Sequence, residues 1–335
     1  MNILIVTQKV DVTDNNLGFF HSWLAAFAEH ADVVVIANEV GAHELPGNVK
    51  VLSLGKEAGK SRIQRLMRYW KLLREHFPSA NGVFFHMCPE YVIAAHFLLK
   101  KFGKKSAFWY VHRAVSMRLR LAEKLVDKIF TASPESFRLP SKKVEVAGHG
   151  IDVKLFPARK ERGPGLHVVT VGRISRVKDL RTLILGFLLL KKRFPDAQFS
   201  IIGQPITEAD RRYERELRDE FESSVSFLGG VSYARVLSGF PYAAFVHASM
   251  TGAVDKAVLE ALATGSAVFT SSEAFPESIP GIFKFEQGNA GDLADAVARA
   301  FEAGKLGYNE GARVYVTGHH NLHTLVSKIL SFYEC

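Results

Sequence analysis

Cysteine is almost missing from the chain: Cys88 and Cys335 are the only two, and they lie far apart. That excludes a disulfide scaffold and a cysteine-built zinc site, and it fits a reducing compartment. Long apolar runs are missing too. No stretch approaches the roughly 18 uncharged apolar residues of a membrane span. The opening Met1-Asn2-Ile3-Leu4-Ile5-Val6-Thr7 has no basic residue and is too short for a secretory leader, so a cytoplasmic location is expected. There is no long block of one charge sign. With 47% hydrophobic and 23% charged residues, the composition excludes a disordered chain. No Gly-x-Gly-x-x-Gly fingerprint follows the first apolar run, so a dinucleotide cofactor is not expected. Helix-turn-helix, zinc-finger and RNA-binding signatures are absent, and the aromatic residues fall in apolar segments rather than among basic ones. No nucleic acid is expected as a partner.

What is present is a chain of 335 residues, enough for two domains, with a net charge of +9 that favours anionic partners. Residues 2–7 read as a buried strand, residues 17–30 as an amphipathic helix and residues 32–37 as the next strand, one βαβ unit. The segment from Lys56 to His76 is the most basic helical stretch. It carries Lys56, Lys60, Arg62, Arg65, Arg68, Lys71 and Arg74 against Glu57 and Glu75. Ile63, Leu66, Met67, Trp70 and Leu73 recur at helical spacing and are expected to be its buried stripe. Such a face can rest on anionic lipid head groups, at roughly 1 kcal/mol per basic residue near the surface. Lys100, Lys101, Lys104 and Lys105 form a second basic cluster. Residues 82–86 and 106–111 read as strands followed or ended by His86 and His112, at carboxyl ends where the sites of parallel sheets form.

Residues 157–165 hold Pro, Gly and the charges Arg159, Lys160, Glu161 and Arg162, and read as an inter-domain linker. Residues 166–171 open a second βαβ series. Its loop runs from Gly172 to Asp179, before a helix that starts at Leu180. The second half is organised around residues 249–265, with apolar strands expected before (242–248) and after (266–270). Between them lie a short loop and a helix of strong formers, closed by Gly265 at the C′ position. The first orphan N–H groups of that helix, near residues 252–256, favour an anion. Glu260, a turn further in, is a carboxylate able to hold a sugar diol. His319, His320 and His323 cluster near the end, but no carboxylate or Cys accompanies them, so they read as capping and surface groups rather than as a metal site.

Four stretches together carry a resemblance. Glu260-Ala261-Leu262-Ala263-Thr264-Gly265 resembles the second half of the donor-site signature of retaining glycosyltransferases of the GT-B fold, in particular family 4 (glycosyl transferases group 1). The full signature has a first Glu, which falls on Gly252 here and is missing; Asp255 and Lys256 are the candidates to replace it. Gly172 and Arg173, with Lys178, Leu183 and Ile184 in register, are similar to the family's Gly-Arg-Leu…Lys loop and following helix. Gly148-His149-Gly150-Ile151-Asp152, with Phe156 beyond it, is similar to the crossing between domains, His149 standing in place of an Asn. Val225-Ser226-Phe227-Leu228-Gly229-Gly230-Val231 resembles a segment that lies near the nucleobase.

The resemblance implies an α/β chain of GT-B architecture, two Rossmann-like α/β/α domains facing across a cleft. An acceptor-side domain would span residues 1–156, a linker 157–165, a nucleotide-sugar domain 166–318, and a C-terminal helix, 319–335, would cross back to the first domain. It implies glycosyl transfer with retention from a nucleotide sugar, UDP-linked by expectation, to a glycan or lipid-linked acceptor; the basic first half, through Lys56–His76, adds the expectation of a place at the inner face of the membrane. Arg173 and Lys178 would converge on the donor diphosphate through charge-assisted hydrogen bonds, and His112 would face the sugar. Glu260 would hold the ribose. Gly252, Ala253, Val254, Asp255, Lys256, Val258, Leu259, Gly203 and Val231 would line the donor, and Gly18, Asn16 and His86 the acceptor side. No Asp-x-Asp triplet occurs, so no metal and no other cofactor is expected beside the donor as co-substrate. Two other readings stay open: a nucleotide-sugar epimerase of the same fold, and a non-catalytic binder of nucleotide sugars or of a membrane surface.

Overall fold

The runs rich in Val, Ile and Phe become strands, and most segments between them become helices, so that βα units make up most of the chain. In a computed structural model, residues 1–14, 16–158, 165–231 and 244–334 are described. The chain order is β1 (Asn2–Val10), α1 (Phe20–Ala28), β2 (Asp32–Val40), β3 (Val49–Ser53), α2 (Arg62–His76), β4 (Gly82–His86), α3 (Pro89–Phe102), β5 (Lys105–Trp109), α4 (Met117–Leu125), β6 (Lys128–Thr131) and β7 (Val144–Val146). It continues with β8 (His167–Val171), α5 (Leu180–Arg193), β9 (Gln198–Ile202), α6 (Glu208–Phe221), β10 (Ser226–Gly229), β11 (Ala244–His247), α7 (Lys256–Ala263), β12 (Ala267–Thr270) and β13 (Ile282–Lys284). The last helices are α8 (Ala290–Glu302), α9 (Glu310–His319) and α10 (Leu322–Glu334). Asn15, most of the expected linker, the start of the expected strand at residues 242–248, and Cys335 lie outside the described residues.

The chain divides into two units, Met1–Asp152 with His320–Cys335, and Val153–His319. In the first, seven parallel strands run in the order β3-β2-β1-β4-β5-β6-β7. One face of this sheet packs α1 and α10 through Trp23, Phe27, Phe84, Leu325 and Ile329. The other packs α2, α3 and α4 through Tyr69, Leu73, Val92, Leu98 and Leu119. The last helix is pinned by Tyr333, whose hydroxyl donates to the Val83 carbonyl at 2.7 Å and whose ring lies where a Cβ on Gly82 would stand. Gly150, at φ +68°, sits between Trp23 and Leu325, and its carbonyl accepts from the Trp23 indole at 3.2 Å. His320 accepts at Nδ1 from the His149 N–H at 3.2 Å, and His323 pairs with Glu29 at 3.1 Å.

The second unit has six parallel strands in the order β10-β9-β8-β11-β12-β13. Leu183, Phe187, Phe199, Leu217 and Val297 belong to its main core. Among the described residues no helix is long and apolar enough to cross a membrane.

One expectation fails in detail. Residues 56–60 are a turn, and α2 begins only after Ser61, which forms a capping box with Gln64. The buried face of α2 is Tyr69, Leu72 and Leu73, whereas Ile63, Leu66 and Met67 are 75%, 37% and 63% exposed. The periodicity admits two neighbouring stripes, and only the second reaches the sheet; of the expected stripe only Leu73 is fully buried.

Candidate functional site

In the second sheet the chain runs outward from β8 to β9 and then returns to β11 on the other side of β8. The crevice at this reversal, at the carboxyl ends of β8 and β11, is where open parallel sheets bind ligands. Two loops meet there. The first leaves β8 at Gly172 and ends at Asp179. The second leaves β11 at Ala248 and ends at Asp255, the N-cap of α7.

Backbone and side chains staple the loops together. The Met250 N–H donates to the Val177 carbonyl at 2.9 Å. The Gln287 amide donates to Asp179 at 3.0 Å and to the Ala248 carbonyl at 3.3 Å. Lys178 forms an ion pair with Asp255. Asp179 holds a left-handed backbone, φ +46°, which Asp tolerates better than most residues, and caps α5 through the Thr182 N–H. Gly203, at the end of β9, is needed for a close approach: a Cβ there would stand 1.8 Å from the Gly172 carbonyl oxygen, and φ is +149°. The Gly203 N–H donates to the Gly229 carbonyl at 2.8 Å, so the loops after β8, β9 and β10 are laced into one rim.

Asp255 is the densest node of the site. Its Oδ1 accepts from the Ala257 N–H at 3.3 Å, capping α7. Its Oδ2 accepts from Lys178 and from His247 Nε2, the latter at 3.2 Å. Burial pushes its carboxyl up, but Lys178 and His247 outweigh that and hold it well below the ordinary carboxylate range. His247 is 3% exposed and its Nδ1 lies 2.9 Å from the Thr270 hydroxyl. The expected bare helix N-terminus is therefore partly occupied by its own side chain.

The remaining expected residues are distributed as follows. Arg173 is exposed and forms no ion pair with any described residue. The Ser175 hydroxyl, in the same loop, is buried without a partner among the described residues. Glu260 lies on α7, buried to 8% exposure, 3.5 Å from the Lys256 ammonium. It lines a recess of about 10 Å³ with Phe156, Val171, Phe245 and Thr264. Gly252 has φ +59°, and Ala253, Val254 and Lys256 are half-buried beside it. Val258 and Leu259 are fully buried, so their side chains face the interior of the unit. Val231 is half-buried just after β10.

In the first unit, His86 ends β4, is 1% exposed, stacks on Phe20 at 4.0 Å and meets the Thr7 hydroxyl at 3.1 Å. It is a core group. His112 is exposed after β5, and its Nδ1 accepts from the Ala114 N–H at 3.1 Å. Asn16 and Gly18 lie in the turn before α1, where the Asn16 N–H is held by Asp14 at 2.9 Å and the Gly18 N–H by the Asp14 carbonyl at 2.9 Å. His247, Thr270 and Gln287 are the site residues that sequence reading misses. The signal for His247 is the one that singles out His86, a histidine at the end of an apolar run.

Comparison with known proteins bears on the fold and on residues 165–303. Residues 165–303 match the family model described as glycosyl transferases group 1. No curated protein matches the chain. Among solved structures, HepE from Anabaena in complex with UDP is 15% identical, with 100% of both chains covered and a TM-score of 0.76. Sucrose-phosphate synthase from Thermosynechococcus elongatus is 17% identical, covering 100% of this chain and 98% of its own, at a TM-score of 0.76. A glycosyltransferase from Rickettsia africae is 13% identical, with 100% and 98% covered and a TM-score of 0.75. The chain thus has the GT-B fold of these glycosyltransferases, and over residues 165–303 it matches the glycosyl transferases group 1 family.

Proposed function

We propose that the protein is a retaining, metal-independent glycosyltransferase that uses a nucleotide sugar, UDP-linked, and a glycan or lipid-linked acceptor. The observation that carries this reading is the pair of stapled loops at the strand reversal of the second sheet. They bring Lys178, the Gly172–Arg173 turn and the start of α7 to one edge. Cleavage at the anomeric carbon leaves negative charge on the departing diphosphate. Cations and N–H dipoles already in place there lower the barrier. Arg173, exposed and without an ion-pair partner among the described residues, and Lys178 supply that charge, and Glu260 receives the ribose hydroxyls. His112, exposed after β5, is assigned to the sugar on the resemblance. The UDP complex of HepE supports a uridine nucleotide.

The first unit supports a membrane-adjacent acceptor. The outward faces of α2, α3 and α4 carry Ile63, Met67, Phe97 and Met117, 63% to 78% exposed, among Arg62, Lys71, Arg74, Lys100, Lys101, Arg120 and Lys124. Exposed apolar anchors among cations suit an anionic bilayer surface. We place the protein in the cytoplasm at the inner face of the membrane. One observation favours the non-catalytic reading instead: Gly252 stands where the signature has a Glu. Its left-handed backbone would strain a Glu at that point.

Kinetics of Glu260→Ala test the assignment. The variant loses a charged acceptor worth about 1.5–3 kcal/mol, so donor kcat/KM should fall roughly 10- to 150-fold. Unchanged donor kinetics in the folded variant would remove Glu260 from the donor site.

A further inference from the structure

The Lys178 ammonium is not free to swing toward a ligand. It is tied to Asp255, and Asp255 is itself tied down on two further sides, by the Ala257 N–H and by His247. A carboxylate only accepts, so the proton of the His247–Asp255 hydrogen bond is on Nε2. In the neutral ring, Nδ1 then accepts from the Thr270 hydroxyl at 2.9 Å. That hydroxyl in turn accepts from the Ser272 N–H at 3.1 Å, and Thr270 is fully buried. The array Thr270–His247–Asp255–Lys178 therefore runs from the interior of the sheet to the cation at its edge. An ammonium has three N–H donors. One is committed to Asp255, and among the described residues no other side chain pairs with the ammonium.

We propose that Asp255, anchored by His247, is a positioning residue for Lys178: it fixes the ammonium at the mouth of α7 and offsets its charge while the donor is in its ground state. This rests on the reading that a diphosphate binds at the loop after β8. The offset weakens ground-state and product binding, and the fixed geometry serves the charge that builds as the diphosphate departs. Asp255 thus acts through Lys178 rather than on the substrate. The arrangement separates two effects that usually move together, affinity for the free nucleotide and turnover.

The test is calorimetric titration of wild type, Asp255→Asn, His247→Gln and His247→Phe with UDP, GDP and inorganic pyrophosphate. It is paired with turnover on a panel of UDP-, GDP- and ADP-sugars. Asp255→Asn keeps an acceptor for the Ala257 N–H and removes the charge. It should bind nucleotide roughly three- to tenfold more tightly while kcat falls about tenfold or more. His247→Gln can still donate to Asp255 and should keep both parameters within about threefold, whereas His247→Phe cannot and should lose turnover. If Asp255→Asn fails to fold, the two His247 variants decide alone, since equal turnover in Gln and Phe overturns the proposal. Equal loss of affinity and turnover in Asp255→Asn makes Asp255 merely structural and overturns it too. A wild type that binds nucleotide while Asp255→Asn behaves like it sinks this proposal only. A wild type that binds none of the probes sinks the donor-site reading as well.

Discussion

Asp255 carries three burdens at once: it caps α7, it holds Lys178 and it orients His247. Its carboxyl is held well below the ordinary range by Lys178 and His247 acting against burial. A carboxylate with a depressed folded-state pKa stabilises the fold fully above its unfolded pKa, and that stability is lost as pH falls through the folded value. The stability gap between wild type and Asp255→Asn, measured by urea unfolding, should therefore be fully present at about pH 5 and shrink below about pH 4. A gap that does not shrink down to about pH 2 would contradict the pairing. That Gly172, Arg173 and Lys178 lie in a loop between a strand and a helix is legible in the sequence, because one apolar run ends before Gly172 and a helical one opens at Leu180, while their assignment to a diphosphate comes from the resemblance. The role of His247 is not, because nothing local distinguishes a histidine that ends a central strand beside a carboxylate from one that packs on Phe20, as His86 does.

At the scale of elements, the strands are the most legible part. Their β-branched and aromatic runs are short, continuous and bounded by turn residues, as a sheet buried on both faces requires. Gly265 at the end of α7 also behaves as expected: it follows Thr264 with φ +79°, and its N–H and that of Ser266 close on Leu262 and Ala261 in a Schellman motif. The short strands β3, β7 and β13 escape notice because three to five residues hold too little pattern. Helix α2 shows how a period can mislead. Ile63, Leu66 and Met67 look like core and are surface. Their exposure, with Phe97 on α3 and Met117 on α4, gives a face that can be tested directly. The protein should co-sediment with vesicles containing phosphatidylserine and not with pure phosphatidylcholine. A triple Ile63→Ser, Met67→Ser, Phe97→Ser variant should bind at least about tenfold more weakly. Equal binding to both vesicles, or no loss in the variant, would leave this face without a membrane role.

For the whole molecule, two parallel sheets of the same strand order, the first with one more edge strand, share one principle, a reversal of strand order that opens a crevice at the carboxyl edge. In the first sheet the reversal lies between β1 and β4, and in the second between β8 and β11. The second is the better furnished, with a cation, a capped helix and a partly buried carboxylate in the residues that match glycosyl transferases group 1. The central claim is that this edge binds a nucleoside diphosphate. The most direct measurement is a thermal-shift panel of UDP, GDP and ADP on wild type and Glu260→Ala. The account predicts a selective shift by UDP that is lost in the variant. No shift with any of the three, or a UDP shift unchanged by Glu260→Ala, would contradict it.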